Sequence, residues 1–468
     1  MDRPWNVAFA LAVLGCRTNQ EEGDALRSHL LALGAEEARF PEPAALVVVN
    51  TCAVTATALA QSRQAIRRAA RLAGPGCWIV VTGCGAQLDP RALAALPGVG
   101  LVVGNAEKSA LPRLFASLAG CPLPPGEGRL SAAASAAGLA LERAPGGVWF
   151  SWSSDPGRGE FLTRSGIPGG RLRPPLKIQD GCDRACGYCV VAGLRGRPRS
   201  KPVEAVLAEA RWLIAAGTRE IVLTGINLGL YQEAGAPPAA GPGSGLARLL
   251  ERLLRLPDLG RIRLSSLEPD TIGPQLVDLL AGEERLCPHL HLALQSGDDG
   301  VLETMGRRYR RDDVRRIAGR LLAARPQAAL GVDVIAGYPG ESEEAFSGTI
   351  DLLESLPAAY LHAFGYSERP GTPARHLAGR VHSAVVRKRV GRLRLLDSRL
   401  RQAHQARLAG SRCAVVVERC SGEAFEGMSG EYVRMRGEGA GIERGSLVQV
   451  VALPPSGETW QPCVPAGA

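Results

Sequence analysis

The hydrophobic positions of the first 120 residues form short runs that are separated by stretches of helical spacing. Runs rich in valine and leucine stand at residues 46–49 and 78–81, and a helical pattern with arginines on its polar side extends over residues 55–73. The glycines and proline of residues 74–76 end that helix. Buried strands that alternate with helices are typical of a parallel sheet covered by helices. The pattern predicts an open parallel α/β sheet domain over residues 1–120.

Short apolar runs also recur at regular intervals in the middle of the chain, again with helical stretches between them. Recurring βα units are the signature of a β/α barrel. The predicted strands are 176–179, 221–223, 262–265, 290–294, 331–335 and 360–364. Six units are fewer than the eight of a closed barrel, so we predict a partial (β/α)6 barrel.

The last part of the chain predicts one long helix followed by a small β-barrel. Residues 384–408 are rich in arginine and carry leucine and valine at helical spacing. Residues 413–417, 431–436 and 447–451 have the pattern of strands with glycine-rich turns between them. We assign residues 406–460 to this barrel.

The 468 residues are too many for one hydrophobic core, so we expect an α/β multidomain protein. Residues 121–170 are rich in Gly, Pro, Ser and Ala and show little periodicity, which predicts a linker or an insertion before a barrel domain over residues 171–405. Lysine and arginine exceed aspartate and glutamate by nine (55 minus 46), which suits a polyanionic partner without specifying one.

The amino terminus bears on the redox state of the twelve cysteines. Residues 6–16 imitate a short secretion signal, but only Arg3, beside Asp2, precedes the apolar run, and that run is short. No apolar run approaches the ~20 residues that a membrane helix needs. We therefore predict a cytoplasmic protein with reduced thiols and no membrane partner. Clustered cysteines in such a chain indicate a metal.

Three cysteines follow the predicted strand 176–179 with the spacing C-x3-C-x2-C: Cys182, Cys186 and Cys189. Thiolates at such tight spacing can wrap a single iron–sulfur cluster. Three ligands for four irons leave one iron open, which favours chemistry over a structural role. Zinc is the alternative, but zinc prefers four protein ligands, and no histidine or further cysteine lies within twenty residues.

The ends of the later predicted strands carry glycine or polar residues. In β/α barrels the working residues stand at the carboxyl ends of strands, where amides and carboxylates can bind an amino acid head, ribose and adenine. Each residue alone fits a turn or a cap equally well. The candidate ligand-binding positions are Gly225, Asn227, Ser266, Glu268, Gln295, Ser296, Asp333 and Ile335.

A second set of cysteines, Cys16, Cys52 and Cys84, stands one to three residues past apolar strands of the sheet domain. The carboxyl ends of parallel strands line the ligand crevice of an open sheet, so these sulfurs can converge on one metal site. Cysteine also packs as a small apolar core residue, which is how we interpret Cys77 at the start of a strand. The pattern alone leaves both interpretations open.

The run from Cys182 to Cys189 resembles the radical S-adenosylmethionine (SAM) superfamily. In that superfamily the C-x3-C-x2-C loop holds a 4Fe-4S cluster that binds SAM by its amino and carboxylate groups. The resemblance implies that Cys182, Cys186 and Cys189 are catalytic cluster ligands, and that the reduced cluster cleaves SAM to methionine and a 5′-deoxyadenosyl radical. It also places Tyr188 near the adenine and makes the strand-end residues the SAM contacts.

Other segments resemble the methylthiotransferase family of that superfamily, and the resemblance covers nearly the whole chain except residues 121–175. The segments of the sheet domain are 14–20, 50–55, 62–69 and 82–87. The resemblance implies that Cys16, Cys52 and Cys84 hold a second 4Fe-4S cluster, the site of sulfur donation. It also implies an electron donor such as flavodoxin or ferredoxin.

Members of this family differ in their target, which is a threonylcarbamoyl-adenosine in tRNA, an isopentenyl-adenosine in tRNA, or an aspartate of a ribosomal protein. The segments 177–182, 195–200, 223–229, 289–297, 340–346 and 365–374 look most like the first group. That likeness implies conversion of N6-threonylcarbamoyladenosine at tRNA position 37 to its 2-methylthio derivative. Asp183, Ala192 and Asn227 depart from the usual asparagine, proline and histidine of that group.

Residues 409–453 resemble a TRAM domain, a small RNA-binding β-barrel. Residues 430–436 would then put basic and aromatic side chains on one strand, a surface for phosphates and stacked bases. The alternative is a stabilising module with solvated arginines, and Arg195, Arg197 and Arg199 leave the same choice open. A non-catalytic iron–sulfur protein that binds RNA is the alternative from another functional class.

Overall fold

The computed structural model describes residues 5–74, 76–144, 147–165, 170–235, 241–457 and 459–466. Asp2, Arg3 and Pro75, which entered the sequence predictions, lie outside these residues. The chain divides into two compact units. The first consists of Met1–Gly170, Asp180–Arg184 and Cys189–Arg199, and the second of Arg171–Gln179, Ala185–Tyr188 and Ser200–Ala468.

Strands and helices alternate through most of the chain. The strands are β1 (Ala8–Val13), β2 (Glu36–Glu37), β3 (Leu46–Thr51), β4 (Trp78–Gly83), β5 (Val99–Val103), β6 (Glu142–Arg143), β7 (Trp149–Ser151), β8 (Pro175–Lys177), β9 (Gln179–Asp180), β10 (Arg199–Ser200), β11 (Glu220–Thr224), β12 (Arg261–Leu264), β13 (His289–Gln295), β14 (Ala329–Ala336), β15 (Tyr360–Gly365), β16 (Arg412–Ser421), β17 (Ala424–Ser429), β18 (Arg434–Glu438), β19 (Leu447–Ala452) and β20 (Gln461–Pro465). The α-helices are α1 (Arg17–Ala32), α2 (Ala56–Leu72), α3 (Cys84–Leu88), α4 (Pro90–Ala94), α5 (Leu111–Leu118), α6 (Glu127–Ala137), α7 (Val191–Arg195), α8 (Val203–Ala215), α9 (Ser244–Leu254), α10 (Pro274–Gly282), α11 (Asp299–Thr304), α12 (Arg311–Ala324), α13 (Glu343–Ser355) and α14 (Ser383–Leu408).

The first unit is built on one sheet with the strand order β2-β1-β3-β4-β5-β7-β6, in which all pairs are parallel except β6 with β7. Strands β3 and β4 are buried along their whole length. Val48 and Val80 pack into one apolar cluster, while Val47 and Val81 pack into another. Helices on both faces of a parallel sheet require such continuous apolar strands. The predicted open parallel α/β sheet is confirmed.

Residues 121–170, predicted to be a linker or an insertion, contain regular structure where they are described. Helix α6 buries Leu130 and Ala133, and β7 pairs in parallel with β5 and so extends the sheet. The apolar side of α6 consists mostly of alanine, and β7 has three residues. A helix so poor in large apolar side chains and a strand of only three residues leave little periodic signal in a sequence.

The second unit contains the six predicted barrel strands, in two parallel ladders with the orders β12-β11-β8 and β13-β14-β15. A parallel bridge between Leu267 and Leu292 connects the two ladders. Leu290, Leu292 and Leu294 of β13 pack into the core with the surrounding helices, so His289 and His291 lie on the opposite face of the ladder. The predicted partial (β/α)6 barrel is confirmed.

The carboxyl-terminal strands form a closed barrel in the order β16-β17-β18-β20-β19, which confirms the predicted small β-barrel. The predicted strand 431–436 is wrong in its position, because Tyr432 adopts a φ of 62° in a turn and β18 begins only at Arg434. Strands β17 and β20 were not predicted. Among the described residues, no helix has the length and apolar content that crossing a membrane demands.

Candidate functional site

Cys16, Cys52 and Cys84 lie at the carboxyl ends of three neighbouring strands of the first unit. Cys16 follows β1 and precedes α1, Cys52 directly follows β3, and Cys84 begins α3 directly after β4. Parallel pairing of β1 with β3 and of β3 with β4 brings these ends to the same edge of the sheet. This is the arrangement predicted from the strand pattern.

Two observations indicate that the three thiols lie near one another. A Cβ atom added at Gly15 would stand 2.4 Å from Cys52 Sγ, so the backbone beside Cys16 touches the Cys52 side chain. Burial raises the pKa of the Cys52 thiol to about 11, and the Cys84 and Cys16 sulfurs contribute to that rise. All twelve cysteines lie within the described residues, and none of them forms a disulfide.

The surroundings of these thiols fit a metal cluster. The Cys84 sulfur accepts a contact from Arg195 Nε at 3.4 Å and one from Asn105 Nδ2 at 3.8 Å. Iron-bound thiolates accept N–H donors of this kind, which also tune the cluster. The donor set therefore favours a metal site at the second cysteine set.

The C-x3-C-x2-C cysteines also face N–H donors. Cys182 Sγ accepts from the Arg184 backbone N–H, and Cys189 Sγ accepts from the Val191 backbone N–H, both at 3.4 Å. In the second unit, Cys186 Sγ accepts from Arg307 Nη1 at 3.3 Å. Each of these sulfurs thus has an N–H donor of the kind that iron-bound thiolates accept.

The backbone beside Tyr188 is held rigidly in the second unit. Gly187 N–H donates to the Met305 carbonyl, and a Cβ atom at Gly187 would stand 2.6 Å from the Tyr338 hydroxyl oxygen. The Tyr188 ring meets the Tyr338 ring edge-on, with centroids 6.4 Å apart. Tyr188 is therefore a positioned aromatic ring next to the cysteine loop.

Gly225 and Asn227 follow β11 and pack against Gln179. A Cβ atom at Gly225 would stand 2.9 Å from Gln179 Oε1, and the same oxygen accepts from the Asn227 N–H at 2.8 Å. The side-chain amide of Asn227 is buried, and neither its oxygen nor its nitrogen has a hydrogen-bond partner within the described part of the chain. Buried amides without a partner are rare, so this one points to a ligand.

Glu268 is joined to the cysteine loop by a residue that the sequence pattern did not reveal. Arg307 Nη1 donates to Glu268 Oε1 at 2.9 Å and also contacts Cys186 Sγ. Ser266 is exposed, whereas the Ser296 hydroxyl is buried and accepts from the Asp298 N–H at 3.2 Å as a turn residue does. Gln295 adopts a φ of 72° at the end of β13.

Asp333 lies inside β14, three residues before its end, and not at the strand tip that the sequence pattern predicts. Its Oδ1 lies 2.9 Å from His291 Nε2 and 3.1 Å from His362 Nδ1. Burial opposes the ionisation of Asp333, but the contacts with both histidines hold its pKa at about 2. Ile335 instead packs on the apolar cluster around Tyr338. Asp333 is therefore an ionised side chain held by two imidazoles.

The sequence suggested that basic and aromatic side chains share one strand over residues 430–436, and only the arginines do so. Arg434 and Arg436 point outward from β18, and Arg434 lies over the Trp460 ring at 5.4 Å. Tyr432 does not share that strand, because its ring stacks on His289 and Tyr360 with centroids 4.7 and 4.9 Å away.

The three arginines after the cysteine loop also differ in whether they are exposed to solvent. Arg195 is 1% exposed and is occupied by buried partners, so it is not an RNA-facing residue. Arg197 is exposed. Arg199 pairs with Asp180 and lies over the Phe161 ring.

Comparisons with known proteins show which families this chain resembles. The family described as "Uncharacterized protein family UPF0004" matches residues 8–104, and the Radical SAM superfamily matches residues 176–353. "Threonylcarbamoyladenosine tRNA methylthiotransferase MtaB" of Chlamydia pneumoniae is 34% identical over 90% of this chain and 89% of its own. "tRNA-2-methylthio-N(6)-dimethylallyladenosine synthase" of Nitratidesulfovibrio vulgaris is 32% identical over 88% and 86%.

A solved structure shares the fold. The radical S-adenosylmethionine methyltransferase TsrM of Kitasatospora setae aligns with a TM-score of 0.57 and 20% identity, over 79% of this chain and 77% of that one. The chain belongs to the radical SAM methylthiotransferase family. It is an enzyme that transfers sulfur-containing groups, and it uses an iron–sulfur cluster and SAM.

Proposed function

We propose that this enzyme converts N6-threonylcarbamoyladenosine at position 37 of tRNA to its 2-methylthio derivative. The observation that carries the proposal is the presence of two separate sets of three thiols with N–H donors against their sulfurs. The names of several relatives and the six sequence segments that resemble threonylcarbamoyladenosine enzymes support this nucleoside.

We further propose two 4Fe-4S clusters, one held by Cys16, Cys52 and Cys84 and the other by Cys182, Cys186 and Cys189. Cleavage of SAM to methionine and a 5′-deoxyadenosyl radical is the chemistry that a reduced cluster at Cys182, Cys186 and Cys189 would supply. A flavodoxin or a ferredoxin is the proposed electron donor. The protein itself keeps each thiolate in place and supplies N–H donors to the sulfurs.

The strand-end residues are proposed to bind SAM. The buried amide of Asn227 offers one donor and one acceptor without a partner in the described structure, and Gly225 lets a ligand approach the backbone closely. Arg307 holds Glu268 in place as an acceptor for the ligand. The other proposed SAM contacts are Tyr188, Ser266, Gln295, Ser296, Asp333 and Ile335.

The carboxyl-terminal barrel is proposed to bind tRNA through exposed basic side chains, of which Arg434 and Arg436 share one strand face. Work on a tRNA also fits the net charge of +9 and the predicted cytoplasmic location.

The nucleoside is tested by mass spectrometry of tRNA digests from a strain that lacks the gene. Loss of 2-methylthio-threonylcarbamoyladenosine, with its unmethylthiolated precursor accumulating, is the expected result. Loss of the methylthio-isopentenyl nucleoside instead would establish the alternative that the Nitratidesulfovibrio relative's name indicates. No change in either nucleoside would reject a tRNA substrate of this kind.

Catalysis itself is tested on the anaerobically reconstituted, reduced protein. We expect 5′-deoxyadenosine from SAM, and its absence at full iron content would favour a non-catalytic iron–sulfur protein that binds RNA. The ratio of product to 5′-deoxyadenosine with a threonylcarbamoylated anticodon stem-loop then measures how much of the radical reaches the substrate.

A further inference from the structure

The most completely buried cation of the first unit, as far as it is described, lies against a thiol of the Cys16, Cys52 and Cys84 set. Arg195 ends helix α7 and is 1% exposed. A buried guanidinium is stable only when its donors are paired. Arg195 Nη2 donates to Asn19 Oδ1 at 2.6 Å, Nη1 donates to Glu22, and Nε contacts Cys84 Sγ at 3.4 Å.

A second buried cation belongs to the same group. Lys108 Nζ donates to Glu22 Oε2 at 2.5 Å and to Asn50 Oδ1 at 3.3 Å. Burial lowers the pKa of Lys108, while Glu22 and the Cys84 sulfur raise it, so Lys108 is within electrostatic range of that sulfur. Glu22 thus connects both cations around Cys84.

The charged side chains near Cys84 share their partners. Arg195 and Arg199 both contact Asp180, and Arg195 and Lys108 both contact Glu22. In these contacts three cations share two carboxylates. The Cys84 sulfur becomes a further negative group once its thiolate binds a metal, and Arg195 is the cation in contact with it.

We propose that Arg195 is a positioning residue of the amino-terminal cysteine site, which holds the Cys84 thiolate and raises the reduction potential of the cluster bound there. The inference rests on the proposed function, because it requires a cluster at Cys16, Cys52 and Cys84. Donors and positive charge at a ligand sulfur stabilise the more negative, reduced state of an iron–sulfur cluster. Arg195 also stands six residues after Cys189, and both residues belong to the segment Cys189–Arg199 of the first unit.

The test uses the full chain with Cys182, Cys186 and Cys189 replaced by alanine, so that only the amino-terminal cluster is present. Arg195→Gln, Arg195→Lys and the control Arg199→Gln are made in this background. Arg199 is a suitable control because it shares the Asp180 carboxylate with Arg195 but lies over the Phe161 ring rather than against the Cys84 sulfur. Iron content, the unfolding temperature and the potential from a redox titration followed by electron paramagnetic resonance are measured for each.

We expect Arg195→Gln to shift the potential to a more negative value, Arg195→Lys to restore part of the shift, and Arg199→Gln to leave it unchanged. Both Arg195 variants could instead lose their iron while their unfolding temperature stays unchanged and the Arg199→Gln control keeps its iron. That result would equally support a positioning role. An unchanged potential at full iron content overturns the proposal. So does general unfolding of both variants, which would make Arg195 an ordinary structural ion pair. A background protein that keeps Arg195 but binds no iron would instead reject the proposed cluster at Cys16, Cys52 and Cys84. That outcome is distinct from the others.

Discussion

Arg263 Nε donates to Glu220 Oε1 at 2.8 Å, and both side chains are completely buried in the second unit. The same guanidinium donates to the carbonyls of Ser429 and Gly430, so the pair attaches the carboxyl-terminal barrel to β11 and β12. Burial alone would raise the pKa of Glu220, but Arg263 and Arg261 hold it far below its ordinary value.

Replacing Arg263 by methionine is expected to destabilise the protein strongly. The change removes the guanidinium donor from the Ser429 and Gly430 carbonyls, of which Ser429 keeps the Tyr432 N–H, and it removes one of the cations that neutralise Glu220. Breaking a buried ion pair costs about 3–5 kcal/mol. Denaturant unfolding measures the difference. Arg320→Met is the control, because its ion pair with Asp278 is exposed and we expect a loss of less than about 1 kcal/mol. Similar losses in the two variants would contradict this account.

His404 makes stability depend on pH in mildly acidic solution. It is buried against the Glu431 carbonyl and accepts from Arg407 at Nδ1, and burial lowers its pKa to about 4. Between pH 6.5 and 4 the unfolded chain therefore binds a proton that the folded protein rejects, so stability falls as the pH falls. From pH 7 to pH 5 this amounts to about 2 kcal/mol.

The variant His404→Gln isolates this effect, because an amide can make the same two hydrogen bonds without titrating. Thermal unfolding at pH 7 and pH 5 should show a smaller difference in the variant than in the unchanged protein. An equal pH dependence in both would assign the effect to other groups.

Gly15→Ala is expected to prevent metal binding at the amino-terminal cysteines. The added Cβ would stand 2.4 Å from Cys52 Sγ, and the φ of +89° is unfavourable for alanine. Gly74→Ala is a matched control, since its φ is +94° and a Cβ there meets nothing within 4 Å among the described residues. Iron analysis after anaerobic reconstitution should show about half the iron for Gly15→Ala and full iron for the control. Full iron in Gly15→Ala would refute the steric argument.

The number of clusters is measured more directly by removing ligands. Cys16→Ala combined with Cys52→Ala should lose about half the iron, because each set of three thiols is proposed to hold one cluster. Cys77→Ala should keep all of it, since Cys77 packs with the apolar cluster on one face of the sheet. If the double variant keeps all of its iron, the protein holds only one cluster.

The exposed arginines of β18 provide a test of tRNA binding. Arg434→Gln combined with Arg436→Gln should weaken binding to an anticodon stem-loop about 5- to 10-fold. The slope of log K against log salt should become shallower by about 2, because each arginine is expected to neutralise one phosphate. Arg320→Gln, an exposed arginine of α12, should leave both quantities unchanged. Equal binding by all three proteins would place the RNA on another surface.

Much of the fold and both cysteine sets could be predicted because they depend on local patterns. Continuous apolar runs require strands that are buried on both faces, as β3 and β4 are. Thr55 caps α2 by accepting from the Ala58 N–H, one residue from the predicted boundary. The rule that parallel strands end at one sheet edge then brings together Cys16, Cys52 and Cys84, although they are far apart in the chain.

Local patterns could not reveal the residues that support these thiols. A charged side chain such as Arg195 has the sequence appearance of a solvated or RNA-facing residue, and only partners far away in the chain make its burial stable. Arg307 reaches Cys186 across 121 residues in the same way. The strands β7 and β20 are too short to give a periodic signal, and each is recognised only by its pairing with a neighbouring strand.

The sequence by itself determined the order of the domains, the strand-end positions of the two cysteine sets and the family of the enzyme. Hydrophobic periodicity and cysteine spacing are properties of neighbouring residues, and the C-x3-C-x2-C set owes its geometry to one loop. Tertiary structure alone decided which cations lie against the sulfurs, that Asp333 is held by two histidines inside β14, and that Tyr432 leaves its predicted strand. These three features depend on how far a polar group is removed from water and on a partner that another element supplies. A short stretch of chain encodes neither the burial nor the partner.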